Sequence, residues 1–408
     1  MRSNKSFPKH LDVEVCSFLK KIWEEGWLDD YSNDHFLIKA IENRIDQFSW
    51  DKQFLNNNIK NYYSTISSDG TINYESFSIN FCMNFSCRLS NMVNMFGEQK
   101  AKKFIIDQLS AGKVEYNEDI FFQALSEIEI LTFFHRGFDW KEIKYEPSTI
   151  KNGSNPEAYF IGEFCSNNST TPVTIKVNIE VKTPKFPHLE SRKERCLIPT
   201  VLLTKTGRDK VLKFCEENNV EMVLPRVNKL IDFINSASKK FNIPKDNEYN
   251  LLYINWSYSD FPSNSFLEAW NLLTNEYNGI LIHPEIATTL SLREPISLDA
   301  YKKITAIIVY TSSIDQLMFS DFRHVWERNG WGCKFRIYVL DEKLRNDIIV
   351  GNNDLFFQLT NMNPSEIDNS VVMFSCNSKT FYEEIYNKKF GYQVLNIILD
   401  NLLTTNKK

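Results

Sequence analysis

The chain has 408 residues, a formal net charge of −5, 42 % hydrophobic and 24 % charged residues. These values fit a globular protein with room for two or three structural units, and they exclude a highly basic nucleic-acid coat protein. An aromatic fraction of 14 % argues against disorder.

No segment reaches the roughly 18 uninterrupted apolar residues that a membrane helix needs. The first 18 residues include Arg2, Lys5, Asp12 and Glu14 and lack an apolar run, so no signal peptide is expected and the cytoplasm is the expected location. The cysteines, at 16, 82, 87, 165, 196, 215, 333 and 376, form no Cys-x-x-Cys pair. Cys82 and Cys87 have no second pair or His cluster to complete a zinc site. Reduced, buried thiols are expected.

Residues 1–110 read as a helical N-terminal region. Val13, Cys16, Leu19, Ile22 and Trp23 recur at helical spacing, as do Ile38, Ile41 and Ile45. Phe77, Ile79, Phe81, Met83 and Phe85 alternate strictly, which admits a short strand. Residues 88–109 read as one helix ending at Ser110-Ala-Gly112.

Residues 111–345 read as an α/β core. A helix over 121–136, stopped by Gly137, precedes strands at 140–145, 158–165 and 173–181. The polar run 166–172 joins the last two as a hairpin. Residues 184–195 read as a basic loop, 210–218 and 227–241 as helices, and 251–256 as an apolar strand. A helix over 266–273 and strands at 279–283, 304–310 and 335–340 follow. Residues 346–408 read as a C-terminal tail with a helix over 381–403. The fold class is a mixed central sheet flanked by helices.

The chemistry concentrates on Val177, Asn178, Ile179, Glu180, Val181 and Lys182. Strand alternation sends Val177, Ile179 and Val181 into a core and sets Glu180 and Lys182 on the opposite face, about 6 to 7 Å apart. A carboxylate and an ammonium together on an apolar strand suit a divalent metal and a water or phosphate. Glu157, at the start of the preceding strand, can approach Glu180 across the hairpin. Two such carboxylates repel each other, and Mg²⁺ or Mn²⁺ would relieve that. On the preceding helix, Glu127 or Glu129 could face the same ion.

This ordered set, with the helix glutamate, Gly137, Asn155-Pro-Glu157 and Glu180-Val-Lys182, resembles the PD-(D/E)xK, or restriction-endonuclease-like, nuclease superfamily. The resemblance covers about 70 residues, 116–185. It implies a restriction-endonuclease-like sheet and metal-dependent hydrolysis of phosphodiester bonds, in DNA rather than RNA. It implies Glu180 as a metal carboxylate, Glu157 where the family has Asp, and Glu127 as the helix glutamate, with Glu129 the alternate. Lys182 then positions the attacking water, and the Val181 carbonyl also touches the metal. Pro-Glu in place of Pro-Asp adds a methylene, which leaves a variant site or a nuclease fold without activity as alternatives. Restriction or antiviral defence is the implied setting, with DNA, a second copy of the chain or a defence-system protein as partners.

Lys185, Arg192, Lys193 and Arg195 form a candidate phosphate-tracking run, continued by Lys205, Arg208, Lys210 and Lys213. A solvated charge run is the competing reading. His135, His188, His283 and His324 stand alone and read as structural. No phosphate-binding Gly-x-x-x-x-Gly-Lys loop and no Gly-x-Ser-x-Gly elbow occurs.

Overall fold

The computed structural model describes residues 2–45, 74–112, 115–137, 139–147, 155–165, 171–184, 194–197, 210, 213–214, 216–223, 227–256, 265–274, 279–282, 296–310 and 335–349. In the N-terminal region, α1 (Ser17–Glu24) buries Leu19, Ile22 and Trp23, one stripe of a helix. α2 (Phe36–Ile41) is capped by His35, whose Nδ1 accepts from the Leu37 N–H at 3.0 Å.

The alternating aromatics do not form a strand. Residues Tyr74–Phe96 make a single helix, α3. Its buried positions Phe81, Cys82, Phe85, Leu89 and Met92 follow the i, i+4, i+8 rule, which outweighs the alternation. The helix expected over 88–109 is broken at Gly97, where φ is 81°, and α4 (Glu98–Asp107) starts afresh. The next helix, α5 (Glu118–Gly137), carries Glu118 and Asp119 in its first turn, which suits the helix dipole. Its Phe121, Phe122, Leu125, Ile128, Leu131 and Phe134 are all buried, so it lies between the other helices and the sheet.

The sheet has the order β1 (Trp140–Tyr145), β2 (Ala158–Phe164), β3 (Val173–Lys182), β6 (Glu248–Asn255), β7 (Ala306–Tyr310) and β8 (Phe335–Val339). The hairpin of β2 and β3 is antiparallel, as the sequence predicts, and β1 pairs antiparallel with β2. β3, β6 and β7 run parallel, and β8 returns antiparallel. The α/β class with a mixed sheet therefore holds, and the later strands extend this same sheet.

Two cores cover the two faces. Val177, Ile179 and Val181 of β3 join Leu251, Tyr253 and Ile308 beneath α1–α5. On the other face, Leu252, Ile254, Ile307 and Val309 pack under α6 (Val227–Lys240), α7 (Ser265–Thr274) and α8 (Leu298–Lys303). Burial on both faces explains why β6 and β7 read as continuous apolar runs rather than alternating ones.

Two further expectations fail. Residues 279–282 turn rather than extend, with Ile280 N–H bonded back to the Leu272 carbonyl at 3.0 Å. The expected basic loop includes a strand, β4 (Glu194–Leu197), which pairs parallel with β5 (Val220–Val223) and carries Arg195. The expected C-terminal helix over 381–403 lies outside the described residues. A short helix, α9 (Glu342–Ile349), follows β8. Among the described residues no helix is long and apolar enough to cross a membrane.

Candidate active site

The site lies at the C-terminal end of β3, at the sheet's junction with α5 and α6. β3 keeps the expected alternation: Val177, Ile179 and Val181 sit in the core under α1–α5, while Glu180 is turned to the other side and is completely buried. Glu157 extends β2 by one residue. Its N–H donates to the Ile179 carbonyl at 3.0 Å, and its own carbonyl accepts from the Glu146 N–H at 2.8 Å. That bonding, next to the Ala158–Ile179 register pair, sets Glu157 beside Glu180 across the hairpin.

Both carboxylates meet ammonium groups. Lys182 Nζ lies 2.5 Å from Glu180 Oε1. Lys240, in the last turn of α6, lies 2.8 Å from the same oxygen and 3.4 Å from Glu157 Oε1. Glu180 Oε2 has no hydrogen-bond partner among the described residues, although nothing of the side chain is exposed. A buried carboxylate oxygen without a partner is costly, so Oε2 is an acceptor that a cation or a water molecule could satisfy.

Glu127 is the third carboxylate. It accepts a hydrogen bond from Tyr145 Oη at 2.8 Å, and Gln108 Nε2 donates to that Tyr145 oxygen at 3.0 Å. Burial, and then the charge of Glu157, hold the Glu127 carboxyl well above its ordinary range; Glu180 adds to the effect and the Tyr145 bond opposes it. Glu129, two residues on, is fully buried but points elsewhere around α5. The Glu157 carboxyl is pushed up to about 7 by burial and by Glu180, against the pull of Lys240 and Lys182. Burial works against the charge on Lys240, but Glu157 and Glu180 outweigh it and hold its pKa up.

The structure thus brings Glu127, Glu157, Glu180 and Lys182 together. Val181 stands between Glu180 and Lys182, in register with Tyr253 of β6. Sequence reasoning missed Lys240 and Tyr145. Lys240 carries only the signal of a cation at a helix C-terminus, which the helix dipole alone accounts for.

Among the described residues no three His, Cys, Asp or Glu side chains form a ready-made metal cage. A Mg²⁺ site needs less, because that ion is usually held by one or two carboxylates with water and substrate phosphate. The unpartnered Glu180 oxygen and the Glu157 carboxyl beside it would suit such an ion.

Lys185, Arg192 and Lys193 lie outside the described residues, as do Lys205, Arg208, His188, His283 and His324. Lys213 forms an exposed pair with Glu217 at 3.8 Å, the behaviour of a solvated surface charge. His135 lines a separate open cleft with Asp139, Trp140 and Glu163.

No family model, curated protein or solved structure matches this chain.

Proposed function

We propose that the chain is a metal-dependent nuclease of the PD-(D/E)xK type, hydrolysing phosphodiester bonds in DNA. The observation that carries this reading is Glu180: a fully buried carboxylate with one oxygen unpartnered among the described residues, beside Glu157 and between two lysines. The order of α5, β1 and the β2–β3 hairpin supports the same reading, since the motif residues fall on those elements in that sequence. A restriction-endonuclease-like fold is part of the proposal.

Glu157 and Glu180, with the Val181 carbonyl, would hold Mg²⁺ or Mn²⁺. Such an ion polarises the scissile phosphate and stabilises the leaving oxygen. Lys182 is within hydrogen-bond reach of Glu180 and projects from the same strand face, so it orients the attacking water and meets charge on the phosphate. Tyr145 fixes the carboxyl of Glu127 at the margin of the site. Arg195 and the neighbouring basic residues would follow the nucleic-acid backbone. Restriction or antiviral defence is the setting that fits this chemistry.

A second reading has one observation in its favour. The two lysines already offset the charge of Glu180, as they would in a nuclease fold that binds nucleic acid or a protein without cutting. Incubation of supercoiled plasmid with purified protein and Mg²⁺ or Mn²⁺ separates the two. Nicking that disappears in EDTA and in Glu180→Gln is the expected result. Intact plasmid under both metals, with binding retained in a gel-shift assay, supports the non-cutting reading instead.

A further inference from the structure

We infer that Lys240 is the resting counter-ion of this metal site and leaves both carboxylates when a divalent cation binds. The inference rests on the metal-site reading above. It concerns a residue that lies outside the sequence motif and comes from a different layer of the fold.

Lys240 spans the two carboxylates: its ammonium is 2.8 Å from Glu180 Oε1 and 3.4 Å from Glu157 Oε1. A Mg²⁺ ion bound at about 2.1 Å to the unpartnered Glu180 Oε2 would stand within roughly 7 Å of the ammonium. Three positive charges so close in a buried site repel strongly. Lys182 belongs to β3 itself and projects next to Glu180 along the strand, so it stays on that face whichever cation is bound. Lys240 instead hangs from the end of α6, whose Leu230, Ile231, Ile234 and Ala237 anchor it in the second core. Its four-carbon stem has the freedom to swing while the helix stays in place. The ammonium offsets the repulsion between Glu157 and Glu180.

Direct Mn²⁺ binding tests this in wild type, Lys240→Met and Lys240→Arg by calorimetry, with thermal unfolding in EDTA alongside. Lys240→Met is expected to bind Mn²⁺ at least about tenfold more tightly than wild type and to unfold at a lower temperature in EDTA. Lys240→Arg, which keeps the charge, is expected to stay within about threefold of wild type. Equal Mn²⁺ affinity in wild type and Lys240→Met overturns the inference but leaves the metal site standing. Absence of Mn²⁺ binding in all three overturns the metal-site reading, and the inference with it. Should Lys240→Met not fold, amine labelling of the wild type decides the matter. Reductive methylation read by peptide mass spectrometry is expected to spare Lys240 in EDTA and to modify it with saturating Mn²⁺. Equal protection in both conditions overturns the displacement.

Discussion

His35 and Glu180 are both fully buried polar residues, yet their surroundings differ completely. Both ring nitrogens of His35 are used. Nδ1 caps α2 through the Leu37 N–H, and Nε2 meets the Leu109 carbonyl at 2.9 Å, which requires the Nε2–H tautomer. Tyr31, Tyr116 and Phe121 pack around the ring. Glu180 has two lysines on one oxygen and, among the described residues, no partner on the other. A buried group with every bond made is a structural fastener. One with an oxygen left over, between lysines and a second carboxylate, is a candidate for ligand binding. The same contrast separates the helical layer under the sheet from the site at the end of β3.

Removing each residue in turn separates the two roles. Glu180→Gln is expected to reduce Mn²⁺-dependent plasmid nicking by about 1,000-fold or more while leaving far-ultraviolet circular dichroism unchanged. His35→Ala is expected to do the reverse. It forfeits a helix cap, a buried hydrogen bond and aromatic packing, at a cost of about 2 to 4 kcal/mol in urea denaturation. Nicking below the lowered unfolding temperature should persist. Loss of nicking in a folded His35→Ala protein would blur the distinction.

Acid titration sharpens the contrast, because the two sites respond with opposite sign. The folded pKa of Glu157, about 7, lies above the ordinary 4.5, so its contribution is full below pH 4.5 and is lost as pH rises through 7. Glu118, also raised to about 7 by burial and Asp119, acts in the same direction. His35 is lowered from 6.5 to about 3 by burial, so its contribution is full above pH 6.5 and is lost as pH falls towards 3. Between pH 4.5 and 6.5 each group contributes a slope of up to about 1.4 kcal/mol per pH unit. In EDTA, Glu157→Gln is expected to remove stabilisation on acidification, and His35→Asn to enhance it. Identical urea midpoints across pH 4.5, 5.5 and 6.5 for wild type and Glu157→Gln would contradict the assignment of Glu157.

The smallest expected effect belongs to Tyr145→Phe, which deletes one hydroxyl and keeps the ring packed on Phe96 and Phe104. Loss of the bond to Glu127 is expected to cost about 1 kcal/mol of stability and to slow nicking several-fold.

The sequence exposed the site through local rules. Strand alternation separates Glu180 and Lys182 from Val177, Ile179 and Val181, and the polar run before Val173 marks the hairpin that carries Glu157. What it concealed depended on distance along the chain. Lys240 reaches Glu157 across 83 positions, and no local period encodes that meeting. Phe77 to Phe85 concealed a helix because aromatics four apart also alternate two apart with Ile79 and Met83. Only burial of Phe81 and Phe85 together with Cys82 and Leu89 distinguishes the two patterns. The basic run at 191–195 misled in another way: charge hides a strand whose pairing partner, β5, lies about 25 residues later.

A crystal soaked in millimolar Mn²⁺ and measured at the manganese absorption edge shows whether Glu157 and Glu180 share an ion. One anomalous peak within about 2.5 Å of carboxylate oxygens of both Glu157 and Glu180 is expected. A well-ordered site with Lys240 still bridging the two carboxylates and no anomalous peak between them would contradict it.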